Sequence, residues 1–270
     1  MNQKELYDAF KNMQRVYGTL ISSPNPKWVP EIKKTGIDFV FIDTEHIPLD
    51  RVQVSFMCHA YKGAGITPIV RIPSPNPYDA CVALDGGAAG IVFPYVETPE
   101  QAKMLRGAVK YRPLKGQKLK DFLDGEIELS ESELSYLKKY NQNNLMILNI
   151  ESKKAVDNLD KILEVPDVDC VFIGPHDLSI NLGCPEEYDN PIFNEAVLDI
   201  IDTCKKHKVS VANHFSFGIE KQIEWGRHGM NVILWNADII RFSQILQEDL
   251  RYIKNQFGEV YESGTSIDAI

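Results

Sequence analysis

No two of the five cysteines (Cys58, Cys81, Cys170, Cys184, Cys204) have CxxC spacing, and their number is odd. That removes a disulfide framework or a zinc finger as the organising device; reduced thiols in a cytoplasmic protein are the expectation. No apolar run approaches the roughly 18 residues of a membrane span. The opening MNQKELYDAFKNMQ is polar and helix-like, without the apolar core of a signal peptide. Basic charge is in deficit: 29 Lys and Arg against 38 Asp and Glu leave a net charge of −9. A nucleic-acid binder needs a clustered basic footprint, so that class is excluded. GxGxxG, GxSxG, HExxH and P-loop motifs are also missing.

The 270 residues contain an alternation of short β-branched or aromatic runs with longer helical patterns. Strands are expected at Val16–Ser22, Phe39–Asp43, Pro68–Ile72, Gly90–Tyr95, Leu145–Glu151, Cys170–Gly174, Val209–Asn213 and Asn231–Trp235. Asn76-Pro77, Thr98-Pro99-Glu100 and Asn190-Pro191 each place a capping side chain before a proline that needs no helical N–H donor. Gly36, Gly65, Gly87, Gly229 and Gly258 sit where helices would stop. Eight strand-helix units predict a (β/α)8 TIM barrel occupying the chain as one domain. The competing open sheet lacks its Gly-rich first turn, which here reads SSPNPK. Residues 112–144 form a long polar insertion before the fifth strand. Ser130–Tyr140 has helical spacing, and the rest reads as a loop or lid. The tail, 259–270, reads as loosely held.

In such a barrel, chemistry sits at the C-terminal ends of the strands. Asp43, Glu45 and His46 follow the second strand in FVFIDTEHIPLD, and Arg71 ends the third. Asn149 and Glu151 end the fifth, and Gly174-Pro175-His176-Asp177 follow the sixth. His214 follows the seventh, with Asn236 and Asp238 after the eighth. Period-two alternation puts Ile147, Asn149 and Glu151 on one face. Glu151 and Asp177, on adjacent strands, would repel unless a proton or a hard divalent cation intervened. The ordinary alternative has Glu151 capping the next helix and Asp177 in a turn; spacing alone leaves both open. Arg71 is a permanent cation suited to a carboxylate or an oxyanion. His46 is a candidate proton-transfer group that Asp43 could orient. Lys153 and Lys154 look like first-turn helix residues rather than Schiff-base lysines.

These stretches, together with IVRIPSPNPYDACVALDGGAAGIVFPYVETPEQA and VDCVFIGPHDLSINLG, resemble the HpcH/HpaI family of class II, metal-dependent pyruvate aldolases over about Val16–Gln247. The resemblance implies a divalent metal, Mg²⁺ or Mn²⁺, on Glu151 and Asp177, and Arg71 on the keto oxygen of pyruvate. It implies an acid-base dyad of His46 and Asp43, with Glu45 in support. The Gly174-Pro175 backbone, beside His176 and Asn149, would receive pyruvate. Asp85 matches an aspartate that approaches a neighbouring subunit's site, and a homohexamer is the usual assembly. The implied reaction splits a 4-hydroxy-2-oxo acid into pyruvate and an aldehyde. Three stretches depart from the family: Asn149 replaces the usual Gln, RPLKGQKLKDFLDGE replaces a Gly/Arg-rich loop, and ILWNAD ends the last strand. A citrate-synthase-like or acyl-CoA lyase is the second expectation, with Lys115, Lys118 and Lys120 as its only basic cluster. A non-catalytic scaffold is the third.

Overall fold

Residues that alternate along each strand separate into two apolar layers, which fixes where the barrel interior lies. The computed structural model describes residues 1–215 and 218–261. Its strands are β1 (Val16–Leu20), β2 (Phe39–Asp43), β3 (Thr67–Arg71), β4 (Gly90–Phe93), β5 (Leu145–Ile150), β6 (Cys170–Ile173), β7 (Ser210–Phe215) and β8 (Val232–Ala237). They are parallel and close in sequence order, with β8 pairing back onto β1. This is the expected (β/α)8 barrel. The expected strands run one or two residues too far in β1, β3, β4, β5 and β6 and stop two residues short in β7 and β8, where the ladder continues to Phe215 and Ala237.

Helix α1 (Gln3–Lys11) precedes β1. Then α2 (Trp28–Lys34), α3 (Arg51–Gly63), α4 (Pro77–Asp85) and α5 (Pro99–Lys110) follow the first four strands. The insertion carries α6 (Gly116–Asp124) and α7 (Glu131–Tyr140). Beyond β5 come α8 (Lys153–Ile162), α9 (Pro175–Asn181), α10 (Pro191–His207), α11 (Ile219–His228) and α12 (Asp238–Gln256). The expected caps are present: Asn76, Thr98 and Asn190 accept from the backbone N–H of Tyr78, Gln101 and Ile192. All five glycines expected at helix ends adopt positive φ.

Phe39, Phe41, Ile69, Val92, Leu145, Ile147, Phe172 and Leu234 fill the barrel. Val40, Ile42, Val70, Ile91, Met146, Leu148, Val171 and Ile173 face the helices. Gly18 faces inward under Phe39; a Cβ there would lie 2.4 Å from the ring. Helix α1 closes the bottom by lending Leu6, Ala9 and Phe10 to the inner layer. Asp169, buried below β6, holds it there through Lys11 and ties the end of α5 to the same place through Lys110, each at 2.7 Å.

The insertion differs from expectation. It has a second helix, α6, and it sits at the barrel's bottom. A segment joining a helix back to the next strand lies at the strands' N-terminal end, opposite the active-site face. Its contacts agree: Gln3 of α1 donates to the Asn143 carbonyl at 3.2 Å, and Lys110 to the Asn144 carbonyl at 2.7 Å. It is no lid over this chain's own mouth. Residues 262–270 of the tail lie outside the described residues. Over-packing the tight inner layer costs about 1–3 kcal/mol. Gly18→Ala should lower the unfolding free energy by about that amount in urea titration, with the barrel's circular dichroism retained.

Candidate active site

Counting upward from the inner layer places the functional side chains. Phe39, Phe41 and Asp43 share one face of β2; Ile69 and Arg71 share one face of β3; Ile147, Asn149 and Glu151 continue β5. The rings of Phe41 and Phe172 stack at 5.2 Å across the barrel and form an apolar floor. Above it the next inward residues are polar. Register pairs Asp43 with Arg71.

On one side of the mouth a guanidinium sits against two carboxylates. Arg71 donates through Nε to Asp43 Oδ1 at 2.8 Å and through Nη2 to Asp43 Oδ2 at 2.5 Å. Glu45 Oε2 lies 3.2 Å from Arg71 Nε. His46 Nδ1 lies 3.2 Å from Asp43 Oδ2 and 2.6 Å from Arg71 Nη2. Burial raises the Asp43 pKa, but hydrogen bonds from Arg71 and His46 outweigh it and hold the carboxyl well below its usual range. The Asp43 hydrogen bond raises the His46 pKa against burial and the Arg71 charge. Nδ1 cannot donate to Asp43 and accept from Arg71 at once. Donation to Asp43 leaves the Nε2 lone pair free as a base; acceptance from Arg71 puts a proton on Nε2 instead. Of the two, only the tautomer that donates to Asp43 leaves Nε2 able to take a proton.

Across the mouth a carboxylate stands without a cation. Glu151 is 1% exposed. Its Oε1 accepts from the Tyr95 backbone N–H at 2.7 Å, and its Oε2 accepts from the Asn149 amide. Burial and the nearby Asp177 charge push its pKa up to about 7, against the Tyr95 hydrogen bond and the Arg71 charge. Asp177, in the first turn of α9, accepts from the Tyr95 hydroxyl at 2.8 Å. Asn149 Oδ1 is buried and has no partner. Gly174 allows the close approach: a Cβ there would fall 2.3 Å from Glu151 Oε2. Ser152, not Glu151, caps α8, which removes the ordinary alternative for Glu151.

A hard divalent cation favours oxygen donors. Two places offer them. Asp43, Glu45 and His46 bring ligand atoms within 4.8 Å of one another, with the Arg71 guanidinium among them offsetting one of the two carboxylate charges. The Glu151–Asp177 pair has no cation hydrogen-bonded to it among the described residues, and the orphaned Asn149 oxygen belongs to the amide that donates to Glu151. Both sets offer donors of the kind a hard cation takes.

The structure separates the other expected residues. Arg71, Asp43, His46, Glu45, Asn149, Glu151, Gly174 and Asp177 converge. His176 turns its exposed ring toward Glu186, 3.3 Å away, leaving only its backbone near the mouth. Asp85 ends α4 at the barrel's opposite end, 67% exposed and 3.3 Å from Arg112; within one chain it is not part of the site. His214 joins the inner wall, 6.0 Å from Phe41, and loss of water plus the Arg71 charge lower its pKa to about 4. Asp238 is structural, taking the backbone and hydroxyl of Ser22. Lys153 and Lys154 pair with Asp157 and Glu97 on the surface. Tyr95, in sequence the last residue of an expected strand, proves to belong to the site; only the Pro94-Tyr95 pair hints at a turn there.

Residues 17–243 match the HpcH/HpaI aldolase/citrate lyase family. The chain belongs to that family. It is 30% identical over 200 residues to a 2-dehydro-3,6-dideoxy-6-sulfogluconate aldolase of Pseudomonas putida, covering 72% of this chain and 76% of that protein. It is 29% identical over 267 residues to a 2-keto-3-deoxy-L-rhamnonate aldolase of Salmonella gallinarum, covering 93% and 94%. A solved citrate synthase is 26% identical with a TM-score of 0.80, covering 94% of this chain and 99% of that one.

The raised Glu151 pKa makes a signed prediction for HpcH/HpaI proteins built this way. Between the unfolded carboxylate value near 4.5 and about 7, the folded state binds more protons than the unfolded, so stability falls as pH rises. Thermal melting of the chelator-treated protein should show that decline. Glu151→Gln should remove most of it, and a decline unchanged in the variant would refute the assignment.

Proposed function

We propose that this chain is a divalent-cation-dependent aldolase that reversibly cleaves a 4-hydroxy-2-oxo acid of sugar-acid origin into pyruvate and an aldehyde. One observation carries the reading: a buried carboxylate without a counter-ion, Glu151, faces an Arg71–Asp43–His46 cluster across the same mouth. The sugar-acid aldolases among its relatives support the substrate class.

Glu151 and Asp177 would hold the ion, Mg²⁺ or Mn²⁺, which when bound supplies Lewis-acid stabilisation and a template for the 2-oxo acid. Arg71 directs a permanent charge at the 2-oxo oxygen. The first turn of α9 has no side-chain cap, so its backbone beside Gly174, Pro175 and His176 receives the substrate carboxylate. Asn149 borders the same pocket. His46, with Nδ1 donating to Asp43, removes the 4-hydroxyl proton through Nε2, directly or through water. The C3–C4 bond then breaks, the aldehyde leaves, and its electron pair forms the C2–C3 enolate beside Arg71. Return of the proton to C3 gives pyruvate. His46 can serve both steps because the imidazolium formed when Nε2 takes the proton, held at Nδ1 by Asp43, is the acid that returns it.

Association of copies belongs to the same proposal. Ile239, Phe242, Ile245, Leu246 and Ile253 of α12, with Phe257 just after it, are exposed, and an apolar face of that kind favours a partner. A neighbouring copy would bring Asp85 to the site, as the family's hexameric assembly implies. Among the described residues no helix is long and apolar enough to cross a membrane.

The likeness to a citrate synthase supports a second reading, enolate addition to a keto acid with an acyl-CoA or related donor. Lys118 pairs with Glu133 in the insertion, at the end away from this chain's mouth, which disfavours a CoA site built from that cluster.

Pyruvate consumption measured with Mn²⁺ and a panel of aldehydes tests the first reading. Chelation and Glu151→Gln should each abolish turnover, and Arg71→Lys should lower kcat by roughly 10²–10³-fold. Turnover that survives both chelation and Glu151→Gln sinks the metal assignment. Failure with every aldehyde, alongside activity with oxaloacetate or an acyl-CoA, selects the second reading.

A further inference from the structure

The turn after β4 leaves the regular ladder. Phe93 pairs with Leu148, and the backbone N–H of Val96 bonds the carbonyl of Asn149 at 3.3 Å. In a parallel ladder that bond sets Val96 opposite Ile150, so the chain advances three residues on β4's side while its neighbour advances two. One extra residue is thus taken up at Pro94-Tyr95, as in a bulge that re-aims a side chain. Tyr95 adopts a φ of 48°, a left-handed conformation uncommon for a bulky residue and typically worth about 1–3 kcal/mol of strain.

That conformation lets one residue reach both acidic groups. The Tyr95 backbone N–H donates to Glu151 Oε1 at 2.7 Å, while its hydroxyl donates to Asp177 Oδ1 at 2.8 Å. Glu151 is carried by the end of β5 and Asp177 by α9, so no shared element sets their mutual orientation. Gly174 brings the two segments close but supplies no side chain. Each carboxylate keeps an oxygen that Tyr95 does not engage. The Tyr95 ring is 40% exposed at the rim.

We propose that Tyr95 is a positioning residue for the cation site: its hydroxyl and backbone N–H fix one oxygen each of Asp177 and Glu151, and so hold the two carboxylates in the mutual orientation in which a divalent ion would be taken. The inference rests on the reading of Glu151 and Asp177 as metal ligands. A partner that orients a ligating carboxylate typically contributes roughly 10–100-fold in metal affinity. Phenylalanine at this position keeps the ring, the backbone and the N–H bond to Glu151, so Tyr95→Phe isolates the hydroxyl.

The full chain, stripped with chelator, should be titrated with Mn²⁺ by calorimetry and by the loss of the free-ion electron paramagnetic resonance signal. The unaltered protein should bind one ion per chain. Tyr95→Phe should weaken that binding roughly 10–100-fold, with little change in thermal melting in chelator. In turnover, Tyr95→Phe should raise the Mn²⁺ concentration needed for half-maximal rate, and saturating Mn²⁺ should restore kcat. Equal or tighter Mn²⁺ binding by Tyr95→Phe overturns the proposal while leaving the metal reading intact, provided Glu151→Gln still abolishes binding. A kcat that stays low at saturating Mn²⁺ overturns the positioning role as well. An unaltered protein that binds no Mn²⁺ overturns both the proposal and the reading beneath it.

Discussion

A carboxylate buried without a counter-ion is the constraint around which this barrel's upper end is arranged. Removing a charge from water is costly unless a proton, a cation or several hydrogen bonds compensate. Glu151 receives a backbone N–H and an amide, both neutral, and these leave its pKa raised. The neighbouring features follow from that deficit. Gly174 must be a glycine because the carboxylate fills the space where a Cβ would be. Tyr95 must turn left-handed to present its N–H. Asn149, one turn of the pleat below, spends its donors on the same carboxylate and leaves its acceptor oxygen unmatched.

The opposite side of the mouth shows how the same charges behave once compensated. Asp43 is as deeply buried as Glu151 in practical terms, yet its pKa is depressed, because Arg71 grips it with two hydrogen bonds. One carboxylate is tied to a permanent cation, and the other has none bonded to it among the described residues. This division separates the two halves. The Arg71 half keeps its charge fixed and can orient an imidazole, while the Glu151 half is the one the proposed function reads as the cation site. The barrel makes the division possible by holding strands β2, β3 and β5 at fixed register, so that their top inward positions face one another above the Phe41–Phe172 floor.

Much of this arrangement is legible in the amino-acid sequence. Proline-preceded caps and stop glycines mark helix ends because both depend on local backbone chemistry. The two-residue period in LMILNIE shows that Asn149 and Glu151 share a face, since the pleat alone decides it. The order of polar strand ends is enough to indicate a barrel mouth. Other features are hidden. Strand ends are displaced by one or two residues in either direction, because a residue that enters the mouth and one that continues the ladder look alike in a β-branched or aromatic run. The second insertion helix is concealed in RPLKGQKLKDFLDGE, whose composition reads as loop. Tyr95 gives no signal because its importance lies in a backbone angle and in two distant partners.

The sequence by itself determined the class of fold, the family and the inventory of charged groups at the strand ends, because local propensity and spacing carry that information. Only the tertiary structure decided how those charges are paired: that Arg71 belongs to Asp43, that Glu151 stands unpaired, that Asp85 and the insertion lie at the far end of the same barrel. Which carboxylate meets the guanidinium depends on distances between strands far apart in sequence, and burial then sets the energy of whichever one is left.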